Sequence, residues 1–109
     1  MTTRTRILII DTDLDNLSKI YLGLIHRNYK TEASDNTEEI PERVKRLKPA
    51  VIIIGKKEYL GQLQKFNIPV ILILDQEEEN SVQAAEELII LHKPVSIDQL
   101  IQAIESVLI

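Results

Sequence analysis

The chain has 109 residues, of which 44% are hydrophobic and 28% charged, and its formal charge is −4. That length and composition describe one globular domain over residues 1–109 and exclude a disordered or fibrous chain. The absence of Cys excludes disulfides, thiolate metal sites and cysteine nucleophiles, and the interspersed acids and bases argue against a nucleic-acid footprint.

In chain order, Met1-Thr2-Thr3-Arg4-Thr5-Arg6 leads into the apolar run 7–10, which stops at Asp11. That run is too short for a signal-peptide core, and no stretch approaches the roughly 18 residues of a membrane span, so a cytoplasmic protein without a membrane partner is expected. Saturated in Ile and Leu, 7–10 reads as a strand covered on both faces. Asp13 is placed to cap a helix whose face is Leu14, Leu17, Ile20, Tyr21, Leu24 and Ile25. Gly23 within it costs about 1 kcal/mol relative to Ala, which close helix–sheet packing would explain. His26 ends this helix, where a cation suits the macrodipole.

Residues 29–33 alternate as an edge strand does. A helix is predicted over 37–47, with Pro41 confined to its first turn, then a strand over 51–54. A short helix over 58–66 precedes a strand over 70–74. The acidic run 75–79 reads as a solvated loop, followed by a helix over 80–87 capped by Asn80. The strand 88–91 leads through His92, read as solvated, into Lys93-Pro94. A last helix carries Ile97, Leu100, Ile101, Ile104 and Leu108, with Ser96 and Gln99 at capping-box spacing. This alternation predicts a doubly wound α/β fold with a five-stranded parallel sheet. Its ligand region lies past the carboxyl ends of the strands, at Asp11, Thr12 and Asp13, at Gly55, Lys56 and Lys57, at Leu74 and Asp75, and at His92, Lys93 and Pro94.

Those strand ends exclude several chemistries. The turn after the first strand has no glycine, and no GxxxxGK[ST] occurs, which removes the usual phosphate-binding loops. Asp11, Asp13 and Asp15 suggest a calcium loop, but Asn16 and Leu22 stand where Gly and Glu belong. Asp11 and Asp13 also resemble the paired carboxylates of haloacid-dehalogenase-type phosphohydrolases. Against that resemblance, Asp15 replaces the expected Thr or Val, no strand before Asp75 ends in Ser or Thr, and Lys93 follows Asp75 instead of preceding it.

Nearly the whole chain resembles a response-regulator receiver (CheY-like) domain. The resemblance is carried by the strand 7–10 running into Asp11-Thr12-Asp13, by Lys48-Pro49 leading the third strand, by Ile68-Pro69 leading the fourth, and by Lys93-Pro94 with its capped helix. It implies a flavodoxin-like sheet of order 2-1-3-4-5, here with a shortened third-helix region, and a cis Lys93–Pro94 bond. It also implies that the phosphoacceptor position is Gly55, that the second acid after strand one is Thr12, that the hydroxyl residue ending strand four is Leu74, and that the aromatic switch is Ile90. The chain thus resembles a degenerate pseudo-receiver with no phosphoacceptor, no catalytic residue, no metal site and no cofactor. Asp11, Thr12, Asp13, Leu74 and Lys93 are its vestigial pocket, with Asp11 paired to Lys93. The expected function is phosphorylation-independent signalling, through a protein partner or self-association on the face of helix 80–87, strand 88–91 and the last helix, at Leu88, Ile90 and Lys93. The alternatives are a dehalogenase-type enzyme using Asp11 and Asp13, or a receiver phosphorylated at a shifted acid such as Glu58.

Overall fold

Runs of Ile, Leu and Val with no polar alternation suit strands covered on both faces, and the computed structural model, which describes residues 6–35, 38–75 and 88–108, buries three of them, 7–10, 51–54 and 70–74, in this way. The strands β1 (Arg6–Ile10), β2 (Lys30–Ser34), β3 (Val51–Ile54), β4 (Val70–Leu74) and β5 (Leu88–His92) form one sheet in the order β2-β1-β3-β4-β5, and every neighbouring pair is parallel. This is the predicted order. Alternate residues serve opposite faces. Ile7, Ile9, Val51, Ile53, Ile71 and Ile73 pack beneath α1 (Leu14–His26) and α4 (Ile97–Leu108). On the other face, Leu8, Ile10, Ile52, Ile54, Leu72 and Leu74 meet α2 (Ile40–Leu47) and α3 (Leu60–Leu63).

The helix ends follow local chemistry. The Asp13 carboxylate accepts hydrogen bonds from the backbone N–H groups of Asp15 and Asn16 at 3.1 and 3.3 Å, the expected cap of α1. Ser96 and Gln99 bond reciprocally at 3.0 and 3.1 Å, completing the capping box of α4. Arg27 at the end of α1 pairs with Asp98 at 2.8 Å, and the Tyr29 hydroxyl donates to Glu105 at 3.2 Å, which ties α4 to the α1–β2 connection. Burial first, and then that carboxylate, raise the Tyr29 phenol above its ordinary pKa.

Five expectations are corrected. β2 ends at Ser34, one residue past the predicted 29–33, so one strand before Asp75 does end in a hydroxyl residue, at the sheet edge remote from β4. The helix predicted over 37–47 begins at Ile40, because Pro41 must lie in its first turn. The helix predicted over 58–66 is broken into 3₁₀ turns at Lys57–Tyr59 and Gln64–Phe66 around the single α-turn of α3, since it has no side-chain N-cap and carries Gly61 at its centre. Gly23 allows close packing of helix on helix, not helix on sheet: a β-carbon there would fall on the Ile97 side chain of α4. His92 is the half-buried last residue of β5, not a solvated one. The helix predicted over 80–87 lies outside the described residues.

Two leucines of α1 separate its faces. Leu24 is 0% exposed and Leu22 is 54% exposed. Leu24→Ala should lower the unfolding free energy by about 2–5 kcal/mol in urea denaturation. Leu22→Ala should change it by less than about 0.5 kcal/mol. Equal losses at the two positions would contradict the assigned face.

Candidate functional site

The strands stay apolar to their last residues, so the first polar groups emerge together at their carboxyl ends. There an open cleft of ≈ 440 Å³ is lined by Asp11, Thr12, Asp13, Gly55, Lys56, Glu58, Asp75 and Lys93. Its centre is Asp11, which is only 4% exposed. A buried carboxylate is costly unless its oxygens are hydrogen-bonded. Here Oδ1 accepts the Asp13 backbone N–H at 3.0 Å, and Oδ2 accepts the Asn16 side-chain amide at 2.8 Å. The Asp11 backbone N–H donates to the Ser34 carbonyl at 3.1 Å.

Gly55 lies directly beside this carboxylate. Its N–H donates to the Ile10 carbonyl at 3.2 Å, which holds it against the end of β1. A β-carbon on Gly55 would stand 2.5, 2.6 and 2.8 Å from Asp11 Oδ2, Cγ and Oδ1. No glycine has positive φ among the described residues, so what distinguishes Gly55 is the side chain beside it and not its backbone conformation. The room that a side chain at position 55 would need is taken by the carboxylate of Asp11.

Lys93 is the main correction. The sequence predicts a pair with Asp11, but Lys93 reaches Asp75 instead, at 3.2 Å. The reason is strand order. Asp75 follows β4, the neighbour of β5, whereas β3 and β4 separate β5 from β1. The two side chains are 30% and 69% exposed, so the pair contributes at most about 1 kcal/mol. The Lys93 N–H donates to the Leu74 carbonyl at 2.9 Å, and the Lys93–Pro94 bond is cis.

Of the expected vestigial pocket, Asp11, Thr12, Asp13 and Lys93 line the cleft with Gly55. Leu74 does not. It is 0% exposed and belongs to the core beneath α2 and α3. Leu88 and Ile90 are half-buried against the same core. Sequence reasoning missed Asn16 as the residue that orients Asp11, because an asparagine early in a helix gives no local sign of a partner five residues back. A magnesium ion, which the receiver resemblance implies, does not fit these donors. The Asp13 carboxylate is engaged in capping α1, Thr12 offers only a hydroxyl, and no group of three His, Cys, Asp or Glu able to hold a metal occurs among the described residues.

No family model matches the chain, and no curated protein matches it. Solved structures do. A response-regulator receiver domain from Clostridium thermocellum superposes with a TM-score of 0.83 at 20% identity, over 94% of this chain and 93% of that one. The fold is the receiver fold. A receiver protein from Sinorhizobium medicae gives a TM-score of 0.79 at 17% identity over 95% and 94% of the two chains. NtrX from Brucella abortus gives 0.80 at 17% identity, with 94% of this chain matching 26% of that longer one.

Within this receiver fold, the fit between Asp11 and Gly55 should be measurable. Gly55→Ala forces the Asp11 carboxylate away from Asp13 and Asn16, and should cost about 1–3 kcal/mol of stability in urea. Asp11→Ala added to that variant should recover part of the loss, because the competing carboxylate is gone. Gly61→Ala, where a β-carbon meets nothing within 4 Å, should be neutral or stabilising by up to about 1 kcal/mol. Equal responses at the two glycines would refute the crowding at position 55.

Proposed function

We propose that the chain is a phosphorylation-independent protein-interaction module of two-component signalling, working in the cytoplasm as a pseudo-receiver. The observation that carries this reading is the overlap of Asp11 with the space beside Gly55. Acyl-phosphate formation needs a carboxylate nucleophile with room for incoming oxygens, and a divalent cation to neutralise them. Gly55 supplies no nucleophile, and the adjoining volume is filled by a carboxylate fixed on two donors. Lys93, the one strand-end cation of the resemblance, is turned to Asp75.

A dehalogenase-type reaction is less well supported. Its acid–base group would be Asp13, whose carboxylate holds the N-terminus of α1. In the reading proposed here the partner docks along the edge strand β5, on the face expected from helix 80–87, strand 88–91 and the last helix, at Leu88, Ile90 and Lys93. With no hydroxyl at position 74 and no aromatic at position 90, that surface has one state instead of two.

The test is incubation with acetyl phosphate and magnesium, followed by intact mass measurement. The expected result is an unmodified chain, with no shift of the Asp11, Thr12 and Asp13 amide resonances at sub-millimolar magnesium. A single phosphoryl adduct mapped to Glu58, which lines the cleft, would overturn the reading in favour of a receiver using a shifted acid. Turnover of a phosphate ester would overturn it in favour of an enzyme.

A further inference from the structure

We infer that α1 is a self-association face, on which a second copy of this chain packs its own α1 antiparallel about a two-fold axis. Among the described residues most large apolar side chains are buried or half-buried. Those left exposed among the described residues are Leu14 at 58%, Leu22 at 54%, Ile25 at 39% and Leu108 at 38%, and three of these lie on α1. At helical spacing, Leu14, Ser18, Leu22 and Ile25 form one row along the helix. This row is not the face that Leu17, Ile20 and Leu24 bury in the core. Nor can α4 cover it, because the contact with α4 is made through Gly23 against Ile97, well round the helix from the row.

Charge and shape together select the occupant. A line of exposed polar residues flanks the row, with Asp15 in the first turn of α1 and His26 in the last. Read in reverse, the row complements itself. Against an antiparallel copy, Leu14 meets Ile25, the small Ser18 meets Leu22, and Asp15 comes beside His26, each pair occurring twice. Such self-complementarity is what an isologous interface requires, and antiparallel helices also oppose their macrodipoles favourably. Arg27 plays no part, being paired with Asp98. One helix on one helix is a small interface, below about 1,200 Å² in total, so the dimer should be weak and concentration-dependent. The inference is independent of the partner face proposed on β5.

Analytical ultracentrifugation of the whole chain from micromolar to millimolar concentration tests this, with circular dichroism to check that each variant is folded. Wild type should show a monomer–dimer equilibrium. Leu22→Glu should weaken it at least about tenfold, and Ile90→Lys on β5 should leave it unchanged. Asp15→Lys should weaken association, and adding His26→Glu to that variant should restore it, because the exchanged pair is again complementary across the two-fold axis. Since the chain has no Cys, a mixture of Ser18→Cys and Leu22→Cys chains reports the register under mild oxidation. The mixed disulfide should form in preference to either like pair. A wild type that stays monomeric at millimolar concentration, a dimer untouched by Leu22→Glu, a dimer lost in Ile90→Lys, or a charge exchange without recovery would each overturn the inference.

Discussion

A single buried carboxylate organises the carboxyl-terminal end of the sheet. β1 and β3 are neighbours in register, with Ile10 opposite Ile54, so the residues that follow them, Asp11 and Gly55, emerge side by side and compete for one volume. Asp11 takes it. Desolvating a carboxylate costs several kcal/mol unless donors replace the lost water. The two donors here come from the start of α1: the Asp13 backbone and the Asn16 amide. The same segment is fixed by the Asp13 cap. Capping, orientation of Asp11 and exclusion of a side chain at position 55 are therefore one connected arrangement.

The remaining polar groups of the cleft follow from strand order. Lys93 emerges beside Asp75 because β5 adjoins β4, and the pair lies at the rim of the cleft with Asp75 mostly exposed and Lys93 partly so. The charges thus divide into a buried, backbone-tied acid on β1 and a rim ion pair on the β4–β5 side.

How much of this was legible in the sequence depended on whether the signal was local. The strands were legible because runs such as Val51-Ile52-Ile53-Ile54 suit a doubly covered sheet, and α1 and α4 because periodicity and caps agree at Asp13 and at Ser96 with Gln99. The region 58–66 was not legible as a broken element, since nothing in the segment besides Gly61 marks where the helix gives way to tighter turns. The partner of Lys93 could have been found. The order 2-1-3-4-5 already places Asp75 on the neighbouring strand and Asp11 two strands further away. Asn16 and the filling of Gly55's space lay beyond reach, because both are contacts between side chains and volumes brought together only by the β1–β3 pairing.

The account stands or falls on where the Asp11 carboxylate lies, and the side-chain amide of Asn16 reports it directly. In nuclear magnetic resonance spectra, one Asn16 amide proton should be displaced and slowed in solvent exchange relative to those of the exposed Asn28 and Asn67, and that difference should vanish in Asp11→Ala. An Asn16 amide that exchanges like Asn28 and Asn67 in the wild-type chain would show that Asp11 is not held against Gly55.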